Sequence, residues 1–118
     1  MSWFKRRRPD RIFDTGHDGD DELLAQISRR SDLTKPRHWV HYLYCPNRAA
    51  AEQAAHDATD AGWGIQAVEP AAQGANWLVI ADKHDAVTSP TAVQDARTLF
   101  EGIAARVGGQ YDGWEAQV

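Results

Sequence analysis

Gly108-Gly109-Gln110-Tyr111-Asp112-Gly113-Trp114-Glu115-Ala116-Gln117-Val118 is the stretch whose reading decides the fold. Two consecutive glycines stop a helix, and a short aromatic segment follows at once. Chain ends fray unless something ties them down. Two large aromatics and a Val make little sense on a frayed tail, so Gln110–Gln117 reads as a strand docked into a sheet. Glycine weakens a strand interior, so Asp112-Gly113 marks a bulge or a close backbone approach.

Reading backwards from the glycines, Val93, Ala96, Phe100, Ile103, Ala104 and Val107 lie on one face of an amphipathic helix over 90–107. Pro90, after Thr88-Ser89, suits its first turn. Asn76-Trp77-Leu78-Val79-Ile80-Ala81 predicts a strand near 76–82, and Trp63–Val68 another, with Pro70 and Gly74 bounding the turn between them. Asn47 suits the N-cap of an Ala-rich helix over 48–61, closed by Gly62. Ala51, Ala54, Ala55, Ala58 and Ala61 give that helix a narrow face able to approach a sheet closely. His38-Trp39-Val40-His41-Tyr42-Leu43-Tyr44 predicts the first strand, which Pro46 ends. The order strand–helix–strand–strand–helix–strand predicts an α+β, ferredoxin-like βαββαβ fold. Its four-stranded antiparallel sheet would carry both helices on one face.

Two helices cover one sheet face, and the other must meet water, another segment or a partner. Five Trp and three Tyr are more aromatic surface than one small core needs. Trp39, Trp63, Trp77 and Trp114 can therefore point outward together as an interaction patch. Alternatively they form the core or lie under a helix carrying Leu23, Leu24 and Ile27. Alternation gives the period of a strand and leaves open which face is which.

The first 35 residues hold 8 of the 13 Lys and Arg. Residues 1–19, with Pro9, Gly16 and Gly19, predict a mobile charged arm. Residues 20–35 predict a short helix (20–31) and linker, with Asp20-Asp21-Glu22 at the positive end of its dipole and Arg29-Arg30 at the other. Residues 36–118 form the domain. Within the arm, Lys5, Arg6, Arg7, Arg8 and Arg11, beside Trp3 and Phe4, make a candidate anion-binding segment for RNA or anionic lipid. The same residues also suit a solvated tail.

A net charge of −4 argues against nonspecific nucleic-acid binding by the molecule as a whole. A lone Cys45 excludes an intrachain disulfide and any multi-Cys zinc site. No apolar run approaches the roughly 20 residues of a membrane span, and Pro9-Asp10-Arg11 stands where a secretory signal would need an apolar stretch. A cytoplasmic protein is expected. His38 and His41, three apart on a strand, face opposite ways and cannot share an ion. His84-Asp85 reads as a turn or capping pair in the loop before the second long helix. Asp14-Thr15-Gly16-His17-Asp18-Gly19 lacks the calcium-loop ligands at its third and closing positions. Gly62-Trp63-Gly64 opens no phosphate-cradling helix, and nothing places a base beside Cys45. Neither a catalytic site, a cofactor nor a metal is expected.

With these residues in place, the chain resembles the regulator of ribonuclease E activity B (RraB) family over roughly residues 38–118. The resemblance rests on His38–Tyr44 followed by Pro46, the Ala-rich helix, Gly62-Trp63, Trp77-Leu78-Val79-Ile80-Ala81 and, most specifically, Gly109-Gln110-Tyr111-Asp112-Gly113-Trp114. It implies a bacterial, non-enzymatic protein that binds ribonuclease E and modulates RNA degradation on a ferredoxin-like fold. Tyr111, Asp112, Gly113 and Trp114 are the matching candidates for protein interaction. Where established inhibitors of that family carry acidic extensions, this sequence has its basic arm. That departure sets up the alternative of a nucleic-acid or anionic-membrane adaptor acting through the arm.

Overall fold

A computed structural model describes residues 12–118. Lys5, Arg6, Arg7, Arg8 and Arg11 lie outside the described residues. The elements run α1 (Asp18–Arg30), β1 (Arg37–Cys45), α2 (Arg48–Asp60), β2 (Gly64–Pro70), β3 (Trp77–Ala86), α3 (Pro90–Val107) and β4 (Gln110–Ala116). The strands form one antiparallel sheet in the order β2-β3-β1-β4. β1 and β3 are thus its inner strands.

The local signals act as their chemistry requires. The side chains of Asn47 and Ser89 accept from the backbone N–H groups of Ala50 and Ala92, capping α2 and α3, and Pro90 takes the first turn of α3. α1 begins at Asp18, two residues earlier than predicted, because His17 is its cap: Asp20 N donates to His17 Nδ1 at 3.1 Å. Gly108, at φ +72°, closes α3 in the left-handed conformation. Gly109 then passes so close to β1 that a Cβ there would sit 2.4 Å from the Tyr44 carbonyl oxygen.

Each strand pairing contains one irregularity. Asp112 and Gly113 face Tyr42 as two residues against one, with Gly113 at φ +95°. This is the bulge that the sequence marks. Gln66 is an extra residue on edge strand β2. On β3, His84 and Asp85 stand opposite His38. β3 therefore runs to Ala86 rather than ending near residue 82, and the reading of His84-Asp85 as a turn pair is corrected. Arg37 pairs with Ala86, so the extra length of β3 is matched by β1.

Burial alternates along β1: Arg37, Trp39, His41, Leu43 and Cys45 are buried, and the residues between them are not. That set faces the helices. Leu43, Val79 and Ala81 from the sheet meet Ala51, Ala54 and Ala58 of α2, Val93, Phe100 and Ile103 of α3, and Leu24 and Ile27 of α1. Each large side chain in this layer contributes about 1.5–3 kcal/mol through burial.

The outward option for the tryptophans is corrected here. Trp39, Trp63 and Trp114 are only 3%, 6% and 8% exposed. Trp39 meets Trp63 edge-on at 5.3 Å and Trp114 at 5.8 Å between ring centroids. Trp77, at the end of β3, is half-buried beneath the Arg48 guanidinium. The register explains this. His41 pairs with Trp114, and Cys45 with Trp77, so these rings share the face of Trp39, which is the inner one.

Candidate protein-binding face

α2 and α3 seat on the inner face, and α1 joins that layer through Leu24, Ile27 and the Asp20 carboxylate, which bonds Arg97 and Trp114. Among the described residues, the outer face therefore has no second layer. Val40, Tyr42 and Tyr44 of β1 stand there beside Leu78 and Ile80 of β3, each half-buried only by its strand neighbours. Glu69 of β2 and Glu115 of β4 add acidic margins. The Tyr42 hydroxyl donates to Glu115 Oε1 across the strands. That bond, with burial behind it, pushes the phenol up to about 12. The result is a continuous aromatic and aliphatic strip with acids at its edge.

One end of this face carries a different chemistry. Asp82 and His84, two apart on β3, share it with His38 of β1. His38 Nε2 lies 2.8 Å from Asp82 Oδ2, and His84 Nε2 lies 3.4 Å from the same oxygen. The two imidazole rings stack in parallel at 4.5 Å. Opposite Asp82 on β2 stands Gly64, where a Cβ would lie 3.0 Å from Asp82 Oδ1.

The inner face explains the terminal tetrapeptide. Trp114 Nε1 donates to Asp20 Oδ1 at 2.9 Å, and Arg97 donates to both oxygens of Asp20 at 2.7 and 3.0 Å. Burial pushes the Asp20 carboxyl up, but the hydrogen bonds from Arg97 and Trp114 and the Arg97 charge outweigh it and hold the group below the usual carboxylate range. Arg97 also lies over the Tyr111 ring, 4.9 Å from its centroid. Tyr111 Oη shares a 2.7 Å hydrogen bond with His41 Nδ1. Burial pushes the Tyr111 phenol well above its ordinary value and the His41 imidazole down to about 3.

Of the four residues, then, Tyr111 and Trp114 face inward, Gly113 turns the chain, and Asp112 is exposed. Cys45 is buried, and burial pushes its thiol up, as for a small core hydrophobe. Sequence reasoning missed the pairing of Asp20 with Arg97 and the outer-face set of Val40, Tyr42, Tyr44, Leu78 and Ile80. The alternation of the β1 sequence was the available signal for the latter. No helix among the described residues is long and apolar enough to cross a membrane.

The model of a family described as regulator of ribonuclease activity B aligns with residues 17–116, which spans α1 through β4. No curated protein matches the chain.

Proposed function

Because the chain belongs to the regulator of ribonuclease activity B family, we propose that it acts without catalysis, by docking on a ribonuclease E-like enzyme and modulating RNA turnover. The observation that carries this reading is the uncovered outer face of Val40, Tyr42, Tyr44, Leu78 and Ile80. Aromatic and aliphatic side chains on a rigid sheet suit the desolvated centre of an interface, and the acidic margin suits its rim. In this reading the fold is ferredoxin-like, with the partner taking the place of a missing layer. A non-catalytic role agrees with the inner chemistry, where His41 and Cys45 are buried away from any substrate.

The test is capture and inhibition of a ribonuclease from the lysate of the source cell, at physiological salt. The intact chain is expected to recover the enzyme and slow its cleavage of RNA. Ile80→Glu, checked for an unchanged melt, should weaken binding at least about tenfold, since a buried charge at an interface centre costs more than 1.4 kcal/mol. A chain lacking residues 1–12 should keep the partner. Recovery of no ribonuclease overturns the reading. Loss of binding on removing the arm, with Ile80→Glu still active, would favour the adaptor. Contacts through the arm would also weaken steeply between about 50 and 200 mM salt.

A further inference from the structure

We propose that His38, Asp82 and His84 form a binding site for a divalent transition-metal ion of the zinc class. Their donor atoms lie within 4.8 Å of one another on the outer face of the sheet. Two imidazole nitrogens and one carboxylate oxygen suit Zn²⁺ and its neighbours, whereas Mg²⁺ and Ca²⁺ call for oxygen ligands. With bonds of about 2.0–2.1 Å, ligands of a tetrahedral ion stand roughly 3.3 Å apart. The 2.8 and 3.4 Å separations from Asp82 Oδ2 to the two histidines bracket that spacing.

The backbone assembles the cluster in three ways. Alternation puts Asp82 and His84 on one face of β3. The bulge at His84 and Asp85 alters the register opposite His38, as bulges do where a side chain is re-aimed. Gly64 leaves the space that the Asp82 carboxylate fills. Asp82 is thereby held in place with its side chain 9% exposed, while the His84 side chain, 77% exposed, has solvent to turn into. Parallel rings do not converge their lone pairs on one point, so binding requires His84 to leave the stack. Three protein ligands leave a fourth position open for water or an incoming side chain. The site stands on its own donor set, independent of the docking proposal.

Calorimetric titration of the untagged full chain with ZnCl₂ at pH 7.5 tests it. One Zn²⁺ per chain is expected to bind. Proton resonances of His38 and His84 should shift, as those of His17 stay in place. His84→Ala, an exposed change that does not threaten the fold, should weaken binding more than about tenfold, as should Asp82→Asn. Even a residue that only supports a metal ligand is worth about 10–100-fold in affinity. His56→Ala removes a separate, exposed His–Asp pair, His56 and Asp60 at 3.3 Å, and should change nothing. Absence of saturable uptake by about 100 μM Zn²⁺, a level that corresponds to binding too weak for a defined site, overturns the proposal. So does uptake that persists in His84→Ala or disappears in His56→Ala.

Discussion

Asp20 receives three hydrogen bonds from two side chains and is 4% exposed, so its stability contribution depends on every partner being present. Trp114→Ala removes one donor and leaves a cavity against Trp39. It should cost about 3–5 kcal/mol in denaturant melts, and a loss below about 1 kcal/mol would show that the ring does not anchor β4. His41 carries a second residue-scale consequence. It is fully buried, with its ring stacked on Phe100 at 4.3 Å, and burial holds its pKa near 3 against an ordinary 6.5. The folded value is the lower one, so the unfolded chain takes up the proton first. This contribution is complete above pH 6.5 and is lost as pH falls towards 3. Between pH 6.5 and 4.5 the fold should lose about 2–3 kcal/mol. His41→Phe should flatten that slope in urea melts run across the range. Asp20 adds a loss in the same direction below its ordinary 3.8, because its folded value is also lowered.

Among the elements, much of the pattern was legible because its causes are local. The caps at Asn47 and Ser89, the stop at Gly108 and the bulge at Asp112-Gly113 depend on residues within a few positions of one another. The inner set of β1 was legible as a period but not as a direction, since which face is covered depends on how the helices fold back onto the sheet, which nothing within the strand records. The His38–Asp82 contact spans 44 positions and the Arg97–Asp20 pair 77, and no neighbouring residue announces either. That is why the His38, Asp82 and His84 cluster went unread, with His84 assigned to a loop. Gly109 shows both levels at once. As a helix stop it was evident, while its approach to Tyr44 depends on the β1–β4 pairing. Gly109→Ala should destabilise by about 1–3 kcal/mol, because the Cβ meets backbone that cannot step aside. Gly102→Ala, within α3 and meeting only the far end of Arg106 at 3.6 Å, should instead stabilise by about 0.5–1 kcal/mol. Paired thermal melts of the two variants measure the contrast.

Across the whole molecule, β1 is the strand that the rest is arranged around. It pairs with β3 on one side and β4 on the other, and its inner residues lie under α2 and α3. The edges of the sheet are handled by irregularity: Gln66 bulges β2, Pro70 ends it, and the Asp112-Gly113 bulge twists β4, which discourages a second sheet from adding on. Among the described residues, no helix covers the outer face. The position of β4 beside β1 also bears on how the protein is made. β4 is the last of the four strands to leave the ribosome, yet its place is next to the first. While it is still in the exit tunnel, the Trp39, His41 and Leu43 flank of β1 has no neighbour, and Asp20 lacks the Trp114 N–H that completes its hydrogen bonding. A stalled nascent chain that exposes residues only as far as Val107 should therefore be cut readily by a protease, and one that exposes β4 should resist. Until Ala116 has cleared the exit tunnel, the nascent chain offers a half-finished sheet to chaperones and to its neighbours on the polysome.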